Sequence, residues 1–305
     1  MNRNSRLKLL PGFYLLVAFI ALAGVSALGQ EEAANQAKKL YNDGIKAMQE
    51  GKPDLAIVAY KGAITNDPEF VDAYLNLGAI YFEQRKYDDA LEQFRTAVQK
   101  DDKNIDAWAN IGRVESVLKR SVEAQGAYES ALAIEPGNGQ ILKELGKVLY
   151  TRSQFQEAVD KLNKCHEAGA GDHVSYYMLG KAYEKMDQND KAIASLKESI
   201  KIKNDYYNSH STLGSIYLAQ EKYEPAAAEF KAALNAAPKR GYRAAYNYAV
   251  AMEQANQDNI DANIANWNAY IKIAKNIPKA KDGVEIARQH VKELQERKEH
   301  LEGQL

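Results

Sequence analysis

The stretch Val71–Asn104, VDAYLNLGAIYFEQRKYDDALEQFRTAVQKDDKN, decides the fold. Tyr74, Leu77, Gly78 and Tyr81 recur at helical spacing in its first half, and Ala90, Phe94 and Ala97 do so in its second. Each half therefore has one apolar face, and the two halves read as a helical hairpin. Steps of 34 from Gly78 reach Gly44 behind it and Gly112, Gly146, Gly180 and Gly214 ahead. The same step from Ala90 reaches Ala56, Ala124, Ala158, Ala192 and Ala226. Two columns of small residues hold over six copies without a slip.

A 34-residue period with large, small and aromatic residues at fixed offsets resembles the tetratricopeptide-repeat family. The resemblance implies an all-α fold, a right-handed α-solenoid of helical hairpins with a C-terminal capping helix. The copies run Ala37–Phe70, Val71–Asn104, Ile105–Asn138, Gly139–Asp172, His173–Tyr206 and Tyr207–Arg240, and a degenerate seventh spans 241–277. Asp67-Pro68, Glu135-Pro136-Gly137 and Ala237-Pro238 place breakers between hairpins. Counted from Ala37, Gly44 holds the eighth repeat position and Ala56 the twentieth, and their small size predicts close approach of the two helices of one hairpin. The column at position 24, Tyr60, Phe94, Tyr128, Leu162, Leu196 and Phe230, is expected to fill the gap between one hairpin and the next. Asp43 and Glu115 depart from the family pattern, where a leucine and an aromatic are usual, and Glu115 has no explanation in the sequence. In the seventh copy Tyr248 and Ala249 stand for the Leu-Gly pair one residue late, and Trp267, Tyr270 and Ile271 match the second-helix face.

The chain has 305 residues, 46% hydrophobic and 27% charged, as suits a helical protein with an elongated core. The first 29 residues carry Arg3, Arg6 and Lys8 and no acid, so the rest holds 37 basic and 41 acidic residues, a balance of −4. That balance does not point to nucleic acid. Cys165 is the single cysteine, which excludes an internal disulfide framework. It takes a column otherwise held by alanine or serine and reads as a small buried residue.

Residues 1–29 read as an export signal: three cations, then the apolar run Phe13–Val25, then Ala27 and Gly29 at signal-peptidase spacing. The alternative is an uncleaved anchor through residues 9–28, interrupted at its start by Pro11 and Gly12. Both readings place the repeats outside the cytoplasm, in the periplasm or secreted, or held on the membrane facing outward. A linker, residues 30–36, precedes the repeats, and 278–305 follow them as a charged helix and tail. In that helix Val284, Ala287, Val291, Leu294 and Leu301 form a narrow apolar seam. It either caps the last hairpin or makes a coiled-coil homodimer, and the second reading gives the alternative function, a membrane-anchored structural assembly subunit dimerising through this C-terminal helix.

No catalytic motif is present: no GxxxxGK[ST], HExxH, GxSxG or paired CxxC. Cys165, His166 and His173 match no standard metal spacing, and neither a metal nor another cofactor is expected. The expectation is a non-enzymatic protein-interaction scaffold. The resemblance implies that positions 2, 5, 6, 9, 12 and 13 of each first helix face a concave groove. There Asn42, Asn76 and Asn110 form an asparagine ladder, whose amides offer both donor and acceptor to a peptide backbone. Arg113, Lys147 and Lys181, with Lys143 and Lys185 beside them and Tyr150 and Tyr177 between, form a basic, aromatic section suited to acidic side chains. Both sets also fit an ordinary solvated face, with Glu144 and Glu184 neutralising part of the second. The carboxylate clamp of heat-shock co-chaperones is not supported, since of Tyr41, Ile45, Asn76, Asp106 and Asn110 only Asn76 matches it. The partner expected is a protein or an extended peptide. A glycan-binding alternative has only Tyr150, Tyr177 and their neighbours in its favour.

Overall fold

The computed structural model describes residues 11–238 and 241–304, with side chains from Gly29 onward. The basic segment Met1–Leu10 and the side chains of Phe13–Val25, on which the signal and anchor readings rest, lie outside the described residues. Among those described, no helix is long and apolar enough to cross a membrane. The fold is all-α, an α-solenoid of helical hairpins, and it divides into two compact units, Met1–Glu135 and Pro136–Leu305.

The first unit holds α1 (Pro11–Gln49), α2 (Pro53–Asn66), α3 (Val71–Glu83), α4 (Tyr87–Lys100), α5 (Ile105–Val117) and α6 (Ser121–Ile134). Each odd helix packs on its successor, and α2 lies on α3 and α4 on α5. The decisive contact lies inside each hairpin. A Cβ built on Gly78 would stand 2.7 Å from Cε1 of Phe94, and one on Gly112 would stand 2.6 Å from Cε1 of Tyr128. Both rings are almost wholly buried, so neither can swing aside. The position-24 side chain therefore does more than fill the gap between hairpins. It sits on the glycine of its own hairpin, and Phe94 also shares a buried cluster with Ile111 and Val114 of the following hairpin.

Glu115 gains its explanation in this unit. The carboxylate is 1% exposed, with Arg95 Nη2 at 2.9 Å from Oε1 and Arg120 Nη1 at 3.4 Å from Oε2. A buried carboxylate is tolerated only when charges and hydrogen bonds replace its water, and the two guanidiniums supply both.

The second unit holds α7 (Gly139–Thr151), α8 (Phe155–Glu167), α9 (His173–Lys185), α10 (Asn189–Ile202), α11 (Tyr207–Ala219), α12 (Tyr223–Ala236), α13 (Tyr242–Ala255) and α14 (Ile260–Ala274). A 3₁₀ turn, Pro278–Ala280, leads into α15 (Lys281–Glu302). The glycine contact recurs with aliphatic partners: Gly146 faces Leu162 Cγ at 2.7 Å and Gly180 faces Leu196 Cγ at 2.8 Å from the Cβ each lacks. Val284, Ala287, Val291 and Leu294 of α15 are buried in one cluster with Trp267 and Tyr270 of α14. Leu301, at 46% exposed, does not join them. The expected seam is thus occupied within its own chain over four of its five residues, as the capping reading requires and the coiled-coil alternative does not. A polar contact fixes the same junction, since Glu253 Oε2 accepts from Trp267 Nε1 at 2.8 Å and lies 2.7 Å from His290 Nε2.

The turn inside each hairpin has its own repeat. Gly51 has φ +70°, and Arg85, Lys119, Ser153, Asp187 and Glu221, at successive steps of 34, have φ between 58° and 62°. At each, the next N–H reaches back to the carbonyl five residues earlier, as in Lys86 N to Tyr81 O at 2.8 Å and Gln154 N to Leu149 O at 2.9 Å. This is the glycine-favouring helix stop of a Schellman turn. Only the first copy carries glycine there. At the other helix ends Asn104, Asn138 and Asp172 cap α5, α7 and α9 through their side-chain oxygens.

Two expected outcomes follow. Gly78→Ala should destabilise the protein by about 1–2 kcal/mol, because overpacking against Phe94 outweighs the better helix propensity of alanine. Urea unfolding followed by circular dichroism would measure it, and unchanged stability would show that the ring yields. Ser153→Gly should instead raise stability by about 0.5–1 kcal/mol, since a non-glycine residue is strained in the left-handed region. A loss of stability in the same assay would contradict this.

Candidate functional site

In the first unit α1, α3 and α5 present their polar positions on one face. Tyr41 lies 4.8 Å from Phe70, ring to ring, at the start of α3, and its hydroxyl accepts from Asn76 Nδ2 at 3.0 Å. The central asparagine of the ladder is therefore engaged in packing α1 to α3. Asn42, which is exposed, and Asn110, which is half-buried, make no side-chain hydrogen bond among the described residues. Arg113 stacks its guanidinium carbon 4.4 Å from the Phe82 ring centroid, and its nearest carboxylate oxygen is Glu83 Oε1 at 3.9 Å. The ladder is thus three residues in register but two free amides.

The corresponding face of the second unit is internally paired. Lys143 Nζ lies 2.9 Å from Asp172 Oδ2, Lys147 Nζ lies 2.7 Å from Glu144 Oε2, and Lys181 bonds Glu184. Burial works against the Lys181 charge, but the bond and charge of Glu184 outweigh it and hold the ammonium above its ordinary pKa. Lys185 is exposed. Burial pushes the Tyr177 phenol up, and the neighbouring Thr212 side chain and Lys181 work against it without reversing it. Tyr177 meets Tyr206 edge-on at 5.6 Å, while Tyr150 packs on Phe155 at 5.5 Å. The expected basic section is neutralised further than by Glu144 and Glu184 alone, since Asp172 joins them. Its lysines are present where the sequence placed them, but Lys143, Lys147 and Lys181 are already neutralised by carboxylates of their own unit.

Several buried titratable groups outside these faces serve the core. Cys165 is buried, which pushes its thiol up and away from the reactive thiolate. His166 Nε2 lies 3.0 Å from Ser175 Oγ, the spacing of a base and nucleophile. Ser175 is fully buried, however, and its hydroxyl donates to Asp172 O at 2.8 Å, so no substrate atom can reach it. Asp172 is held below the usual carboxylate range: burial opposes this, and the Ser175 N–H and Lys143 overcome it. Among the described residues no three His, Cys, Asp or Glu side chains converge as metal ligands would. One histidine was missed by sequence reasoning. His210 is buried between two acceptors, Glu229 Oε2 at 2.7 Å from Nδ1 and Asn204 O at 2.8 Å from Nε2. Both nitrogens must donate, so the imidazolium is favoured, and the Glu229 bond raises the pKa against the opposing effect of burial.

With the geometry in place, comparison with known proteins gives one family. Models described as "Tetratricopeptide repeat" match residues 47–114, 173–206 and 207–240. No curated protein matches the sequence as a relative. Among solved structures, a tetratricopeptide repeat protein from Parabacteroides merdae aligns over 83% of this chain and 99% of its own, at 15% identity and TM-score 0.61. Pseudomonas aeruginosa PilF aligns over 70% and 95%, at 18% identity and TM-score 0.58. YrrB, described as having an unusual peptide-binding site, aligns over 67% and 99%, at 20% identity and TM-score 0.54. At these identities the likeness is one of fold.

The His210 arrangement has a pH signature. A folded-state pKa raised above the unfolded value of about 6.5 contributes stability that is fully present below that value and lost as pH rises through the folded pKa. Wild type should therefore exceed His210→Gln in stability by more at pH 6 than at pH 9, measured by urea midpoints. An equal difference at both would mean that folding leaves the pKa of the histidine unshifted.

Proposed function

The chain is a tetratricopeptide-repeat protein, and on that premise we propose that it is a non-enzymatic scaffold of the cell envelope that holds an extended peptide segment across the first-helix face of its first unit. Scaffolding of protein partners is the work of repeats of this kind, because hairpin stacking builds a long face whose outward residues are free of the core. The observation that carries the peptide reading is the pair of free amides, Asn42 and Asn110, on α1 and α5. Each can give a donor and an acceptor to the backbone of an extended chain whatever its side chains. The second-unit residues Lys143, Lys147, Tyr150, Tyr177, Lys181 and Lys185 are a poorer docking face, since a ligand carboxylate would have to displace Asp172, Glu144 or Glu184.

The envelope setting is supported by the N-terminal sequence, with three cations and no acid ahead of the apolar run Phe13–Val25. The fold is shared with proteins such as PilW, described as a widely conserved type IV pilus biogenesis factor. The assembly-subunit alternative loses its support, because the seam it required is buried against α14.

The test is a crosslinking pull-down from native envelopes with wild type, an Asn42→Ala/Asn110→Ala form and an Asn76→Ala form. The double variant should lose the captured partner while keeping wild-type stability. Asn76→Ala should lower stability by roughly 1 kcal/mol, the worth of an ordinary hydrogen bond. Full retention of the partner by the double variant would move recognition off this face.

A further inference from the structure

The first-helix face of the first unit bears more than amides. Met48 is 41% exposed and Val117 45%, and both stand in the last turns of their helices, α1 and α5. Half-buried Phe82 occupies the equivalent last turn of α3, at the same repeat position as Met48. Val117 follows Arg113 by four residues and so shares its side of α5. A strip of apolar side chains thus runs across three first helices with a guanidinium lying on its central ring. Leu55 and Val58 make another exposed apolar pair, on α2, but no polar group there says what would cover it.

Arg113 defines the chemistry. Its guanidinium lies over the Phe82 ring, and its N–H groups make no hydrogen bond among the described residues. Glu83, its nearest carboxylate at 3.9 Å, stands beyond hydrogen-bond length, and both side chains are more than half exposed. An Arg fork with unmet donors is a carboxylate site, and bidentate pairing would hold a ligand carboxylate in the plane. The remaining charge limits how many carboxylates the face accepts. Asp72 and Asp106 stand in the first turns of α3 and α5, at the opposite end of those helices from Arg113, and Glu83 is beside it. Together they repel a polyacidic tract or an anionic lipid surface.

We propose that this edge of the face selects a peptide segment with one large apolar side chain, seated on Met48, Phe82 and Val117, next to a single carboxylate held by Arg113. The inference rests on the peptide reading of the same face and adds its specificity. Acid recognition moves with it, away from the paired lysines of the second unit.

The test is selection of a random dodecapeptide display library on the full chain, with enriched sequences made as fluorescein-labelled peptides and titrated by anisotropy. The enriched set should carry Leu, Ile, Met or Phe within a few residues of one Asp or Glu. Arg113→Ala should weaken these peptides about tenfold or more, the scale of a lost charge-assisted hydrogen bond, and a Met48→Ser/Val117→Ser form should weaken them several-fold. All these residues are surface-exposed, and unchanged thermal unfolding would confirm that the variants fold. Peptides that lose affinity for Asn42→Ala/Asn110→Ala but keep it for Arg113→Ala would overturn this inference and leave the peptide reading standing. Peptides indifferent to every variant, or a library that yields no binder, would overturn both.

Discussion

Everything in this fold depends on how closely the two helices of a hairpin approach. At Gly78 and Gly112 the space a Cβ would need is filled by the ring of Phe94 or Tyr128, and at Gly146 and Gly180 by a leucine. The absence of one carbon lets a large side chain from the second helix lie on the backbone of the first. Dispersion and burial are both gained there, because the ring meets atoms rather than a void. Size, not hydrophobicity, is what the sequence conserves between its own copies at that column. Tyr, Phe and Leu exchange freely at position 24, whereas the eighth position remains glycine through all six regular copies.

A hairpin closed this way still needs an end to its first helix, and the chain uses a left-handed residue at the same place in every regular copy. In five of the six that residue is not glycine. The strain is tolerated because the turn satisfies otherwise orphaned carbonyls, such as Tyr81 O and Leu149 O. The last hairpin has no successor to cover its outer face. There α15 takes the successor's place, pinned by Trp267 and by the Glu253 carboxylate that both Trp267 and His290 reach. Its exposed side is mostly charged, which is what the end of a stack requires.

Much of this was legible in the sequence, and the boundary of legibility has a physical cause. Period and small columns are enforced by packing inside each copy, so they recur at a fixed step and can be counted. Pairing of side chains that lie far apart in the sequence leaves no such trace. Asn42, Asn76 and Asn110 look equivalent in the sequence, yet Asn76 alone has Tyr41 one helix away to bond it. Lys143 looks like a free cation until Asp172, 29 residues further on, is folded against it, whereas Glu184 stands three residues from Lys181 in the sequence itself. Glu115 looked like an error in the pattern, and the guanidiniums that explain it lie 20 residues before it and five after. The left-handed column was hidden for a different reason. Its one clear sign is Gly51, and the charged and polar residues elsewhere in that column carry no local signature.

The same separation bears on function. The residues that close the hairpins point inward, and those of the first-helix faces carry little of the fold, so the faces are free to differ while the stack stays the same. They do differ. In the second unit Lys143, Lys147 and Lys181 of the face are matched to neighbouring carboxylates, an arrangement that satisfies itself. In the first unit two amides have no partner among the described residues, a guanidinium lies on Phe82 without a close carboxylate, and Met48 and Val117 remain in water. Unmet donors and exposed apolar side chains are each ordinary on a surface when they stand singly. Gathered on one face, in the register that three successive first helices impose, they have the complementarity of a ligand that supplies a backbone, an apolar side chain and an acid. The packing that gives the chain its fold is what holds those groups in that register.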